Sequence, residues 1–178
     1  MIITLEDAKK IDPNIMEDDL QAFESAVRRL TNNNFQQNNI RFSDVTVSES
    51  GSFILQETPK GLREGDTIEL NYSHYNDGLY VVDEIVDTTI KVDSERLFDE
   101  NSKDIIVTLV QYPPDIKRGI KKLIQYDLKM GDKVGIKSET ISRMSKTYYD
   151  VNATDNTDGY PKSLLSFLDK YEKMRWGS

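Results

Sequence analysis

The sequence contains one histidine, His74, within the motif Tyr72-Ser73-His74-Tyr75. Histidine is the side chain that most often acts as a general base near neutral pH. A nucleophile relay needs further groups at hydrogen-bonding distance, and a chain without cysteine excludes the Cys–His pair. Because the turn residues Asn76-Asp77-Gly78 follow directly, we interpret His74 as a loop residue.

Carboxylates are abundant, and some of them are spaced like metal ligands or paired acids. The runs Glu17-Asp18-Asp19 and Asp99-Glu100 fit the first turn of a helix and the tip of a hairpin. A calcium loop with Gly159 at its sixth position would begin at Thr154 and end at Leu165, where acidic ligands are required. The chain has neither of the common glycine-rich phosphate loops. We therefore predict no catalytic residues, no metal site and no cofactor.

One pattern opposes the net charge of −8. Cations crowd the polar side of a predicted third helix, at Lys117, Arg118, Lys121, Lys122 and Lys129. They either dock an acidic partner or form an ordinary solvated face. Apolar and aromatic residues near a later polar segment are further candidates, since Tyr and Trp are favoured at interfaces. The predicted partner-binding residues are Lys117, Arg118, Lys121, Lys122, Ile141, Met144, Tyr148, Tyr149 and Trp176.

Composition limits the class of protein. The 178 residues are 37% hydrophobic and 30% charged, with 23 Lys and Arg against 31 Asp and Glu, which allows one compact domain or two small ones. This acidity disfavours binding of phosphates by the whole surface. The apolar run Ile105–Val110 is too short for a membrane helix, and charged residues follow Met1-Ile2-Ile3 at once, so we expect neither a membrane span nor a signal peptide.

Helical spacing marks both ends of the chain. A short helix is predicted over about 5–10, where Thr4 and Asp7 form a capping pattern, and a longer one over about 16–31. A third helix begins at Pro113-Pro114-Asp115 and stops at Gly131. Gly119 interrupts its apolar stripe and suggests close packing. A final helix is predicted from Pro161, with a buried stripe at Leu164, Leu165, Leu168 and Tyr171.

Between residues 40 and 112 the pattern changes to short β-type runs separated by turn residues. Six strands are predicted, at 40–47, 52–56, 67–71, 79–86, 89–92 and 105–111. The fold class is therefore α+β: a small helical bundle of 1–38 and 113–178, with a small β-barrel or sandwich module of 39–112 inserted in it. A polar connection, 131–159, is long for a compact domain and is a possible docking arm.

Two sets of residues resemble a known family. The first is the opening Ile3-Thr4-Leu5-Glu6-Asp7-Ala8-Lys9-Lys10 with the ending Gly159-Tyr160-Pro161-Lys162-Ser163-Leu164-Leu165. The second is Gly65-Asp66-Thr67-Ile68-Glu69-Leu70, then Asn76-Asp77-Gly78-Leu79-Tyr80-Val81-Val82, then Thr89-Ile90-Lys91-Val92. In this order they resemble the head–tail connector (adaptor, or head-completion) proteins of long-tailed bacteriophages, of the staphylococcal siphophage type.

The resemblance implies a non-enzymatic virion protein at the head–tail interface, assembled in the host bacterial cytoplasm. It implies self-association into a ring of about twelve copies in the virion, and it leaves open whether the isolated subunit is a monomer. The implied partners are the portal protein and a stopper or tail-completion protein. Duplex DNA would pass through the ring without specific binding, and an acidic lumen would let it slide.

Two other functions remain open from the residues. A small acidic enzyme would need a convergent polar pocket, for which the sequence offers no residues. A nucleic-acid-binding β module would need cations interleaved with aromatic residues on one sheet face. From Asn71 to Val92 the chain is acidic, with Lys91 its only Lys or Arg, which disfavours that function.

Overall fold

The computed structural model describes residues 1–92, 94, 96–130, 138–141, 144–147 and 156–174, with the backbone alone at 138–141, 144–147 and 156. The chain divides into two compact units. A helical unit consists of Met1–Asn33 and Tyr112–Ser178, and a barrel unit consists of Asn34–Gln111. The expected inserted module, 39–112, overlaps the barrel unit from 39 to 111.

The barrel unit is a closed antiparallel β-barrel. Its strands are β1 (Gln36–Ser48), β2 (Ser52–Ile54), β3 (Thr67–Asn71), β4 (Gly78–Val86), β5 (Thr89–Val92) and β6 (Glu100–Val110). Their order around the barrel is β1-β2-β5-β4-β3-β6, and β6 pairs with β1 to close it. The six predicted runs are thus confirmed as strands, and of the two predicted forms of the module the structure has the barrel.

Alternation of side chains along the strands fills the barrel. Val45 and Val47 on β1, Ile68 and Leu70 on β3, and Ile105 and Val107 on β6 are each at most 1% exposed. The long strand β1 pairs with both β2 and β6. Its register with β6 shifts between Ser43 and Val45, where Asp44 adopts a φ of +58°. A bulge of this kind lets one strand turn the corner of a barrel.

The helical unit contains α1 (Leu5–Lys9), α2 (Glu17–Thr31), α3 (Pro114–Met130) and α4 (Lys162–Leu165). The first three agree with the predicted helices. The buried stripe of α3 includes Ile116, Ile120, Leu123 and Ile124. The mixed α+β class is therefore confirmed, whereas the packing of these helices as a bundle stays a prediction. In the described part of the chain, no helix is long and apolar enough to span a membrane.

The predicted final helix is wrong in its length. After α4 the chain makes a turn and then one turn of 3₁₀ helix, Asp169–Tyr171. Ser166 Oγ donates to the Ser163 carbonyl at 3.0 Å, a local bond that competes with continued helix. Further on, the Lys173 amide donates to the Thr31 carbonyl at 2.8 Å. The chain therefore leaves the helical path and satisfies an orphan carbonyl at the end of α2.

Part of the predicted polar connection has regular backbone structure. Strands β7 (Ser138–Ile141) and β8 (Met144–Thr147) form an antiparallel hairpin, and β9 (Asn156–Thr157) pairs with β10 (Tyr160–Pro161). The second pair turns at Asp158 and Gly159, which have φ of +52° and +82°. A two-residue turn with positive φ at both positions suits the twist of a hairpin.

Candidate partner-binding surfaces

The cations predicted on the third helix lie on its exposed side. Lys117, Arg118 and Lys122 are exposed, and Lys121 is half-buried. We call these four residues the basic face. They share one side of α3 because its apolar residues, at spacings of three and four, occupy the side that packs inward.

Only one member of the basic face has an ion pair among the described residues. Lys121 Nζ lies 3.1 Å from a carboxylate oxygen of Asp7 on α1. Asp7 also accepts a hydrogen bond from Lys10 at 3.0 Å. Hydrogen bonds from Lys10 and then from Lys121 lower the pKa of Asp7. Among the described residues, the other three members of the basic face have no ion pair, so these three cations are the candidates for contact with a partner.

The other predicted contact residues are described less fully. Ile141 and Met144 are the Cα partners that end the β7–β8 hairpin, so the structure brings their backbones together. Tyr148, Tyr149 and Trp176 lie outside the described residues. The same holds for most of the proposed docking arm, 131–159.

A second surface, in the barrel unit, was not predicted. Three aromatic side chains stand out from the barrel: Tyr72 is 65% exposed, Tyr75 75% and Phe98 59%. The ring centroids of Tyr75 and Phe98 are 5.7 Å apart. We call these three residues the aromatic platform. Tyr72 adopts a φ of +68°, a conformation that bulky residues rarely take.

A carboxylate holds the loop between β3 and β4, which carries Tyr72 and Tyr75. Glu100, at the start of β6, has a side chain only 11% exposed. Its oxygens accept from Ser73 Oγ at 2.7 Å, from the His74 amide at 3.0 Å and from His74 Nδ1 at 2.8 Å. Charge-assisted bonds of this kind are among the stronger polar contacts in proteins.

Asn76 joins this loop to the segment before β6. It is 1% exposed. Its side-chain amide donates to the Phe98 carbonyl at 3.1 Å and to Glu100 at 3.1 Å, and its oxygen accepts from the Phe98 amide at 2.8 Å. The Tyr80 hydroxyl donates to the Asn76 carbonyl at 2.7 Å. A buried amide with its partners satisfied fixes one loop geometry, so Tyr75 and Phe98 are presented together.

The protonation of Glu100 follows from this network. Burial alone would raise its pKa, but the hydrogen bonds from the His74 ring, from Ser73 and from the His74 amide outweigh burial and lower the pKa from 4.5 to about 2. Glu100 is therefore a carboxylate at neutral pH. A carboxylate accepts from all of these donors at once, which a protonated acid does less well.

The pairing of Glu100 with His74 resembles the carboxylate and histidine of a general-base arrangement. The His74 ring is 77% exposed, beside an open depression of about 680 Å³ lined by Tyr72, Lys103 and Asp104. Within the described residues, Glu100 is the one side chain that bonds to this ring. Those residues also contain no cluster of three or more potential metal ligands. The arrangement best serves to hold and present the loop.

Sequence reasoning identified the turn at Asn76-Asp77-Gly78 but missed the platform. The sequence did not show which distant residues contact this loop. Glu100 and Phe98 lie more than twenty residues further along the chain, and only barrel closure brings them to the loop. The usable signal was an aromatic–polar alternation in a predicted loop, Tyr72-Ser73-His74-Tyr75.

Comparison with known proteins assigns no function to these surfaces. No protein-family model matches the chain, and no curated protein matches it. The connector family therefore stays a prediction from the sequence. What the geometry itself provides is a rigid aromatic platform on one unit and a basic face on the other.

Proposed function

We propose that this protein is a structural subunit of a phage head–tail connector ring. In this role it joins the portal to the stopper or tail-completion protein and lines the channel through which DNA leaves the head. The helices α1 to α4 form the bundle in this proposal, and the barrel is its inserted module. The subunit acts in the virion by binding other proteins and carries out no reaction.

The positions of the resembling segments support this proposal. The opening segment Ile3–Lys10 contains α1 and the residues that cap it. The segments 65–70, 76–82 and 89–92 fall on β3, β4 and β5, which are consecutive neighbours in the barrel. The second set of resembling segments thus follows one connected part of the barrel rather than scattered strings.

The observation that carries the proposal is the aromatic platform. Tyr75 and Phe98 are exposed although a buried network fixes the backbone that carries them. Aromatic side chains on a rigid support lose little entropy when they bind, and they dominate many protein interfaces. A loop stabilised in this way suits docking to another protein.

The charge of the protein supports passage of DNA without binding. With a net charge of −8 the surface as a whole repels phosphates. Repulsion keeps a duplex from adhering to the channel wall, since adhesion requires cations that displace its counterions. The platform itself has Asp77, Asp99 and Asp104 in adjoining segments.

The test is assembly with a portal protein and a stopper protein of a long-tailed phage. We expect negative-stain images and native mass spectrometry to show a ring on the portal. Tyr75→Ala with Phe98→Ala should weaken binding to the portal or the stopper at least tenfold. Val86→Ala, at another exposed apolar residue of the barrel, is the matched control and should leave binding unchanged. Failure of the wild type to bind either protein would refute the proposal.

A nucleic-acid-binding protein is the second candidate, because exposed aromatic residues can also stack on bases. Lys103, whose charge would attract a phosphate, lines the depression beside Tyr72 and His74. The carboxylates in the adjoining segments oppose it. A mobility-shift assay with single-stranded and duplex DNA separates the two functions: a shift at moderate salt that Phe98→Ala abolishes would favour this candidate over the connector.

A further inference from the structure

The helical unit has a groove that the function above does not use. It lies between α2 and α3, has a volume of about 400 Å³, and has Phe23, Ala26 and Ile124 among its apolar walls. Four carboxylates line it, those of Asp12, Asp19, Asp127 and Asp158. We call this feature the acidic groove. An apolar floor with an acidic rim suits a helix face that carries cations on long aliphatic stems.

The carboxylates of the acidic groove are only partly engaged by their own chain. Asp127 accepts from the Tyr160 hydroxyl at 2.5 Å, and Asp158 pairs with Arg29. Asp19 accepts from the Met16 amide at 2.8 Å and Asp12 from the Asn14 amide at 2.9 Å. Each of these contacts uses one oxygen, and an ionised carboxylate has room for several donors.

The concentration of negative charge affects Asp127. Loss of water around its carboxylate raises the pKa of Asp127; the Tyr160 hydrogen bond lowers it, and the charge of Asp19 raises it further. A cation brought into the groove would oppose both effects that raise the pKa. The groove therefore favours an occupant that carries positive charge.

The same unit presents that charge elsewhere, on the basic face of α3. Lys117, Arg118 and Lys122 form no ion pair within the described part of the chain. Each residue advances an α-helix by about 100°, so the centre of the basic face lies roughly 90° around α3 from Ile124 and roughly 150° from Asp127. The two charged surfaces therefore point to different sides of one helix. One copy cannot satisfy both by itself.

We propose that the acidic groove of one copy receives the basic face of a second copy. The contact is heterologous, because two different surfaces meet. After pairing, one copy keeps its basic face unused and the other keeps its acidic groove unused, so further copies add head to tail. Closure of this series into a ring rests on the connector function proposed above; the pairing itself does not.

Charge-reversal variants test the contact. The groove variant carries Asp12→Lys and Asp127→Lys, and the face variant carries Lys117→Glu and Lys122→Glu. A third protein combines all four substitutions. The control carries Lys9→Glu and Lys162→Glu, two exposed cations of the same unit outside the basic face. Circular dichroism melts establish that each variant is folded, and sedimentation velocity up to millimolar protein measures association.

We expect the wild type and the control to associate at low salt, and an increase from about 50 mM to 500 mM salt to weaken association at least tenfold. Neither two-site variant should associate alone. Mixed together they should associate in a one-to-one ratio and extend into chains in which the two variants alternate, because the intact groove meets the intact face and the reversed groove meets the reversed face. The four-site protein should associate again, because its charges are exchanged rather than lost.

The outcomes separate this contact from the connector function. Rings that survive both reversals would overturn the contact and leave the connector intact. Salt-sensitive chains that respond as expected but never form a ring on the portal would support the contact and refute the connector. A wild type that stays monomeric at millimolar concentration and low salt would overturn the contact, as would a four-site protein that does not associate.

Discussion

Gly119 lies in the buried stripe of α3, and a neighbouring ring occupies the space that a side chain at this position would need. A Cβ at this position would fall against the ring of Phe167. Helix propensity alone would make Gly119→Ala stabilising by about 1 kcal/mol. Overpacking of this kind costs about 1–3 kcal/mol, so we expect a net loss in the free energy of unfolding, measured by urea denaturation.

A double-mutant cycle identifies Phe167 as the cause. In a Phe167→Ala background the ring is gone, and Gly119→Ala should become stabilising because only helix propensity remains. Gln125→Ala, at an exposed position of α3, controls for the helix itself. Stabilisation by Gly119→Ala in the wild-type background would show that the ring moves aside without cost.

Glu100 is the residue on which the aromatic platform depends. Glu100→Gln replaces a carboxylate that accepts from Ser73, His74 and Asn76 by an amide whose nitrogen cannot accept. We expect a loss of about 1.5–3 kcal/mol in the free energy of unfolding at pH 7. Glu84→Gln breaks an exposed pair with Lys91 and should cost less than about 1 kcal/mol.

The same network predicts a pH dependence. The pKa of Glu100 is about 2 in the folded protein against an ordinary 4.5. The folded state thus favours the carboxylate, and its stabilisation is fully present above the ordinary value. It is lost as the pH falls from 4.5 toward about 2. The stability difference between wild type and Glu100→Gln should shrink over that window; a constant difference down to pH 2 would contradict the assignment.

At the scale of elements, the end of the helical unit shows that side chains can stay buried beyond the end of a helix. Leu165 and Leu168 are 8% and 3% exposed, although α4 ends at Leu165. Leu168→Asp places an unpaired charge at a buried position and should cost several kcal/mol, a large part of the roughly 5–15 kcal/mol that stabilises a domain.

Lys162→Asp is the control for that substitution, because Lys162 is exposed on the first turn of α4. It should change the melting temperature little. The measurement is thermal unfolding followed by circular dichroism. Equal melting temperatures for the two variants would mean that Leu168 is not part of the core.

At the scale of the whole molecule, the helical unit can be tested without the barrel unit. The strands of Asn34–Gln111 close on one another and enclose their own apolar cluster. We expect that replacing this segment by a short Gly/Ser linker leaves a helical protein that melts cooperatively. Disappearance of the helical circular dichroism would show that the helical unit needs the barrel to fold.

The sequence by itself determined the kinds and places of most elements. Periods of 3.6 and 2.0 are local properties, so α2, α3 and the six barrel strands could be identified without knowledge of their partners. The charge pattern of the basic face was equally readable, because residues at spacings of three and four share a helix face. The helix predicted beyond Leu165 failed because a local bond from Ser166 to Ser163 competes with continued helix and because Lys173 then donates to the distant carbonyl of Thr31.

Only the tertiary structure decided which residues meet. Pairing of β6 with β3 brings Glu100 and Phe98 to the loop of His74 and Tyr75, and pairing of β6 with β1 closes a barrel where a sandwich was equally open from the sequence. The acidic groove likewise collects Asp19, Asp127 and Asp158 from three separate parts of the chain. Such contacts depend on chain closure over long sequence separations, and local residue patterns carry no record of them.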